Sequence, residues 1–197
     1  MEIYFTSDTH FCHNQGFLYE PRNFSNINEM NEAIVENWNS IVKPNDIVYH
    51  LGDIMLNDNT TAMEYIKQLN GQIFMIWGNH DTDARKELLV RLPHFNGGLY
   101  AHIIKYEKFS IYMSHYPTLT ANYDDKHFNQ HVINLHGHTH QKQNWLTPEN
   151  PFMYHVGVDS HDCKPVHIDE IITDIRNRWT ALGGLKMEKR PLYDYPM

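Results

Sequence analysis

Short apolar runs rich in Ile, Val, Tyr and Phe recur along the chain at residues 3–6, 47–51, 73–77, 99–106, 109–113, 132–135 and 152–158, and each reads as a strand. Between them the period changes. Met30, Ala33, Ile34, Trp38 and Ile41 fall at helical spacing over residues 28–42. A second helix is expected over 60–69, behind Asp58 or Asn59 as its cap and ahead of Asn70-Gly71. Two more are expected over 83–92, stopped by Pro93, and over 169–181, stopped by Gly183-Gly184. Glu107-Lys108 reads as the tip of a hairpin. Strands alternating with helices predict an α/β fold with a parallel start, to which the hairpin adds antiparallel strands. One domain is expected over 1–182, followed by a C-terminal tail, 183–197, that carries two prolines and no periodicity.

The residues just past each strand share a chemistry. Ser7-Asp8-Thr9-His10 follows the first run and Gly52-Asp53 the second. Gly78-Asn79-His80-Asp81 follows the third, Ser114-His115 the hairpin strand, and His136-Gly137-His138-Thr139-His140 the run at 132–135. Five strands thus deliver Asp, Asn or His at their carboxyl ends, where α/β sheets assemble their sites. Taken singly, each motif reads equally well as a turn with a solvated histidine or an Asx-type bond. In order, at successive strand ends, they read as one site. Carboxylate, imidazole and amide oxygen donors suit Mn, Fe, Zn, Co or Ni, with no thiolate required. A bridging carboxylate with three further ligands on each side would hold two cations roughly 3.5–4 Å apart, an arrangement used for phosphoester hydrolysis. Glycine precedes Asp53, Asn79 and His138, where it permits tight turns and close backbone approach.

Composition fits this picture. With 197 residues, 41% of them hydrophobic, the chain has material for one globular core. No run approaches the ~18 apolar residues of a membrane span, and the opening Met1-Glu2-Ile3-Tyr4-Phe5 reads as a strand and not as a secretory signal. Two distant cysteines, Cys12 and Cys163, give no disulfide framework, so a cytoplasmic location is expected. A formal charge of −8 argues against a broad nucleic-acid-binding face. It permits local grip on one phosphate, because bound cations reverse the field at the site. The excess is in histidine, 15 of them, the commonest metal ligand.

The ordered motifs Asp-x-His, Gly-Asp, Gly-Asn-His-Asp, His and Gly-His-x-His resemble those of the calcineurin-like metallophosphoesterase superfamily. The resemblance spans residue 3 to about residue 170. It is closest to short stand-alone bacterial and phage members that open with Ser-Asp-Thr-His-Phe, as residues 7–11 do, and the stretches Val156-Gly157-Val158-Asp159 and Lys164-Pro165-Val166 are similar as well. The family implies a two-sheet β-sandwich flanked by helices. Carried over by residue, it implies Asp8, His10 and His140 on one metal, Asn79, His115 and His138 on the other, and Asp53 bridging them. His80 would be the catalytic histidine that faces the phosphate. The cofactors implied are two divalent ions, Mn²⁺ first, with Fe, Zn, Ni or Co as alternatives. The reaction implied is hydrolysis of a small or nucleotide-type phosphoester, with a diester favoured, by a metal-bound hydroxide. A nuclease acting on nucleic-acid ends and a protein-binding scaffold that kept the fold are the rival readings.

The chain departs from the family in one place. Many relatives continue the bridging aspartate as Gly-Asp-x-x-Asp-Arg; here Leu56 stands at the acid's place and Asn57 at the arginine's. This argues against a protein Ser/Thr phosphatase and leaves no acid in the motif to orient His80. Among the remaining histidines, His13 lines the pocket or occupies a turn, and His136 reads as the last residue of its strand. His155 and His161 lie near Asp159, with a structural place favoured over the cleft. His94, His102, His127, His131 and His167 stand outside any motif. Tyr19, Phe24 and Trp38 read as packing and not as a base-stacking platform.

Overall fold

The computed structural model describes residues 1–122, 125 and 127–184, so the expected C-terminal tail lies outside the described residues from 185 onward. The strands are β1 (Ile3–Thr6), β2 (Ile47–His50), β3 (Gln72–Ile76), β4 (Phe95–Leu99), β5 (Ala101–Tyr106), β6 (Phe109–Ser114), β7 (Val132–His136), β8 (Met153–His155) and β9 (Val166–His167). The helices are α1 (Gly16–Tyr19), α2 (Ile27–Ile41), α3 (Asn59–Ile66), α4 (Asp83–Leu89) and α5 (Ile168–Ala181). Two sheets form, ordered β4-β3-β2-β1-β9 and β5-β6-β7-β8. In the first, β1 to β4 run parallel and β9 closes the edge antiparallel to β1. In the second, β5 and β6 form the expected hairpin while β6, β7 and β8 run parallel.

The period-2 alternation of the first sheet supplies two cores. Tyr4, Val48, Ile73 and Met75 face α2, α3 and α4, joining Met30, Ile34, Trp38 and Ile66. Phe5, Tyr49 and Ile76 face the other way, against Ile111, Met113, Ile133 and Leu135 of the second sheet and the apolar stripe Ile168, Ile171, Ile172, Ile175 of α5. A sheet apolar on both faces must be covered on both. This one is, by helices on one side and by the second sheet with α5 on the other. The architecture is the two-sheet sandwich flanked by helices that the family resemblance implies.

Four local expectations are corrected. The run 99–106 is not one strand: it breaks at Tyr100 into β4 and β5, which belong to different sheets. Gly97-Gly98 hid the start of β4, because glycine is depleted in strands. Gly98 is there because a Cβ would meet the Trp77 ring at 2.2 Å. The run 152–158 shortens to β8, since the chain turns into a 3-10 helix at Val158–Ser160. The two-residue β9 and the four-residue α1 were too short to leave a periodic signal. The helix expected over 60–69 spans Asn59–Ile66 and is capped by Asp58, whose carboxylate accepts from the Thr60 and Thr61 amides, each at 3.1 Å.

Helix α2 carries much of the first core and starts on a reciprocal cap. The Asn26 side chain accepts from Glu29 N at 3.0 Å, and Glu29 accepts from Ser25 N at 2.8 Å. Asn26→Ala is expected to lower unfolding free energy by about 1 kcal/mol in urea titrations, with metal uptake unchanged.

Candidate metal centre and active site

The carboxyl ends of β1, β2, β3, β6 and β7 point to one end of the sandwich, and the loops beyond them carry the expected site residues. Neighbouring loops are tied to one another by main-chain bonds: Asp8 N donates to Gly52 O at 2.9 Å, His10 N to Asp53 O at 3.1 Å and Gly137 N to His115 O at 3.0 Å. Five of the seven expected ligands hold left-handed backbone: Asp8 (φ 57°), His10 (51°), Asp53 (57°), His138 (68°) and His140 (48°). Such a conformation costs a non-glycine residue on the order of 1–3 kcal/mol and persists only where the surroundings fix it. Crowding between the loops explains two of the glycines. At Gly52 (φ 96°) a Cβ would meet Gly78 N at 2.6 Å and His115 Nδ1 at 2.7 Å, and at Gly137 it would meet Ser7 Oγ at 2.3 Å. The close approach they permit is therefore to the next ligand loop.

The ligand-type atoms gather in two groups, Asp8 with His10 and His140, and Asp53 with His115 and His138. Within each, all atoms lie within 4.8 Å of one another. Each group has two buried members and one exposed member from the β7 loop, so the site opens on the side of His138 and His140. In the first, Asp8 Oδ2 accepts from Ser7 Oγ (2.6 Å) and His138 N (2.9 Å). Asp8 Oδ1 is buried without a hydrogen-bond partner and faces His140 Nε2 at 3.7 Å and His10 Nε2 at 3.9 Å. The two imidazole nitrogens are themselves 3.2 Å apart. Buried lone pairs converging on one point are what a cation satisfies, so the residues fit a metal ion. In the second group, His115 Nδ1–H donates to Leu51 O at 2.7 Å, which turns Nε2 into the site, 2.9 Å from Asn79 Oδ1 and 3.4 Å from Asp53 Oδ2. Asp53 Oδ2 also lies 3.9 Å from His10 Nε2, so it faces a nitrogen from each group.

Electrostatics follow from this packing. Burial pushes the Asp8 carboxyl up, partly offset by His140 and His115. Burial also pushes Asp53 up, but the His115 ring, the His80 amide and His10 outweigh it and bring the carboxyl down to about 2. His10 is driven well below its ordinary value, first by burial and then by His140. For His115, burial is overcome by Asp53 and Asp8, which raise it to about 9.

His80 stands beside these groups, with its ring 5.5 Å from that of His10. The side chain makes no hydrogen bond among the described residues, so it is free to meet a substrate. Its main chain is fixed at both ends: His80 N donates to Asp53 Oδ1 at 2.8 Å, and Arg85 donates to His80 O at 2.5 Å. These bonds fix the position of the His80 backbone, and among the described residues no acid bonds to the ring in the place that Leu56 leaves empty. His13 sits half-buried between His10 (5.3 Å) and His80 (6.5 Å), so it lines the site. His136 is the buried last residue of β7. His155 is fully buried beneath the site, bonded to Ser160 Oγ at 2.9 Å, and His161 donates to His155 O, so neither borders the opening as a ligand.

Four residues near the site carried no role in the sequence reading. Asp81 accepts from Asp53 N (2.9 Å), Gly78 N (2.8 Å) and Ile54 N (3.4 Å), tying the second and third ligand loops together. Arg85 holds His80. Arg22 and Asp159 form a buried ion pair behind His140. Asp81 was visible within Gly78-Asn79-His80-Asp81, but its partners are backbone amides that no motif displays. Arg22 is an isolated basic residue in a loop, and only its burial reveals it.

The chain matches the calcineurin-like phosphoesterase superfamily domain over residues 1–149 and belongs to that family, the class of metal-dependent phosphoesterases. It is similar to a protein of Methanocaldococcus jannaschii named only as uncharacterised, 34% identical over 181 residues that cover 87% of this chain and 89% of that one. The gene 66 protein of Mycobacterium phage D29 is 27% identical, over 88% of this chain and 96% of its own. Among solved structures, a protein of unknown function from Aquifex aeolicus superposes with a TM-score of 0.65 at 28% identity, covering 87% of this chain and 98% of that one. No described helix is long and apolar enough to cross a membrane.

Asp81→Ala would strip three amides of their acceptor, each left unsatisfied at a cost of roughly 1–3 kcal/mol. We expect a lowered melting temperature together with reduced metal content by elemental analysis, although Asp81 is no ligand itself. Unchanged metal content at a lowered melting temperature would show that the loops hold their places without it.

Proposed function

We propose that the protein is a dinuclear phosphodiesterase acting on a small or nucleotide-type phosphoester. Asp8, His10 and His140 hold one divalent ion, Asn79, His115 and His138 the other, and Asp53 is shared. The observation that carries this reading is the position of Asp53 Oδ2, 3.9 Å from His10 Nε2 and 3.4 Å from His115 Nε2. Two divalent ions there, Mn²⁺ by preference, would neutralise phosphate oxygens and lower the pKa of an attacking water. The chain's own residues do the rest. The two buried aspartates offset the cations' charge, and the loops fix the geometry in which the phosphate is held. His80 donates a proton or hydrogen bond to the departing oxygen. All seven ligand positions and His80 are filled, which speaks for an enzyme over a scaffold.

Two features favour a diester. A dianionic monoester calls for a cationic clamp, and the arginines that touch site residues are both committed. Arg22 is paired with Asp159, and Arg85 is held between His80 O and Asn59 Oδ1. Two aromatic rings also stand exposed around the site. Phe17, 72% exposed, packs edge-on to His13, and Tyr116, 51% exposed, packs edge-on to His138 at 4.6 Å. Exposed rings at a site suit a flat base or aryl group on an ester arm. The chain's formal charge of −8 weighs against extended nucleic acid as the substrate.

Asp53 and His80 are expected to fail differently. Asp53→Asn removes the shared negative charge between two cations, so bound metal and turnover fall together. His80→Ala keeps both ions and loses roughly 10²–10⁴-fold in kcat, less with a nitrophenolate leaving group that needs no proton. Metal content and turnover measured in parallel decide it; loss of metal from His80→Ala with retention in Asp53→Asn would reverse the roles.

Substrate preference gives a second test. An aryl phosphodiester should be turned over faster than the matching monoester. Phe17→Ala and Tyr116→Ala should raise KM for a nucleoside-bearing diester more than for dimethyl phosphate. A monoester hydrolysed equally fast or faster would remove the diester assignment.

A further inference from the structure

One ligand in the first group has a charged brace. Asp159 receives Arg22 through a two-pronged contact, Nε to Oδ1 at 2.8 Å and Nη2 to Oδ2 at 2.9 Å, with both side chains almost fully buried. The same carboxylate oxygen, Oδ2, lies 3.0 Å from His140 Nδ1. Arg22 Nη2, a donor only, lies farther from the same nitrogen, at 3.4 Å. The shorter contact is with a carboxylate that can only accept, so the proton of a neutral His140 ring sits on Nδ1 and the Nε2 lone pair faces Asp8 Oδ1 and His10. Arg22 reaches further: Nη2 donates to Asp8 O at 2.8 Å and Nη1 to Thr9 O at 3.3 Å. These carbonyls belong to the turn in which Asp8 and His10 hold left-handed backbone. One guanidinium therefore touches the supports of all three members of the group.

The second group is braced differently: Asp81 ties the Asp53 and Gly78 turns together through their backbone amides, but among the described residues no charged side chain backs either of its imidazoles. His115 Nδ1 donates to a neutral carbonyl, that of Leu51, and the His138 ring makes no hydrogen bond among the described residues, resting edge-on against the exposed Tyr116. A buried ion pair is costly to form and is retained where its charges are well hydrogen-bonded. Here every contact of the pair ends on a ligand or on the turn that carries two of them, apart from a sulfur contact from Arg22 to Met30.

We propose that Arg22 and Asp159 are positioning residues for one of the two metal sites. They fix the tautomer and direction of His140 and the Asp8–His10 turn, so that the first group binds its ion more tightly than the second. This rests on the assignment of Asp8, His10 and His140 as ligands. A carboxylate behind a ligating imidazole sets its orientation and basicity, and losing one costs about 10–100-fold in metal affinity.

Zinc titration of the full-length protein by calorimetry, with long-range ¹H–¹⁵N NMR of the histidine rings in the zinc-loaded state, tests the proposal. In the unmodified protein two binding events of unequal affinity are expected, and His140 should show Nδ1–H with Nε2 on the metal. His140→Ala should abolish the tighter event. Asp159→Asn, nearly the same shape but uncharged, should weaken that event by about 10–100-fold and leave the other unchanged. Arg22→Lys keeps the charge without the fork and should weaken the same event. If His140→Ala leaves both events intact, the ligand assignment fails and the positioning role with it. If His140→Ala removes one event but Asp159→Asn alters neither, the positioning role alone fails. Should Asp159→Asn not fold, the unmodified protein still decides: His140 bound through Nδ1, or protonated at Nε2, overturns the proposal.

Discussion

Two carboxylates buried a few ångströms from four imidazoles set the terms for the rest of this structure. Asp8 and Asp53 are almost wholly removed from water, and Asp8 has one oxygen with no hydrogen-bond partner. Buried anions and converging nitrogen lone pairs are costly unless positive charge lies between them. The amide bonds into these carboxylates, from His138 N to Asp8 and from His80 N to Asp53, relieve part of that cost. They also make each aspartate a fastener for the loop of another strand. A site of this kind stabilises its own geometry only when the cations it is shaped for are bound.

The sandwich supplies the rigidity this needs. Parallel strands in both sheets bring their carboxyl ends to one edge, and the residue just beyond each strand turns sharply into the site. Left-handed backbone holds at five of the seven expected ligand positions, whose side chains gather in two neighbouring groups. Glycines at 52 and 137 allow the loops to touch where a Cβ would not fit. The strain is held by main-chain bonds between adjacent loops, by Asp81 across the second and third, and by Arg22 under the first. The exposed histidines His138 and His140 share one loop, and beside it the site opens toward His80 and His13.

That these residues gather at one site was legible in the chain because the grammar is local: a strand pattern, then Asp, Asn or His within a few residues. The same grammar predicted β1, β2, β3, β6 and β7 nearly to the residue, since each is a buried run with β-branched or aromatic content. It failed at β4, where Gly97-Gly98 lacks strand character and Gly98 leaves room for the Trp77 ring. It also failed at β9, a two-residue edge that tertiary pairing alone defines. The supports of the site were hidden for a related reason. Asp81 acts on backbone amides, and Arg22 meets a carboxylate 137 positions away, so neither leaves a spacing to read. His155 and His161 cluster near Asp159 in sequence, yet lie beneath the site and not at its mouth.

The central claim is that Asp53 is shared between two ions. Anomalous diffraction from crystals of the Mn²⁺-loaded protein addresses it most directly. The account predicts two peaks roughly 3.5–4 Å apart, one among Asp8, His10 and His140, the other among Asn79, His115 and His138, with the Asp53 carboxylate between them. A single peak, or two peaks that leave Asp53 on one ion alone, would contradict it.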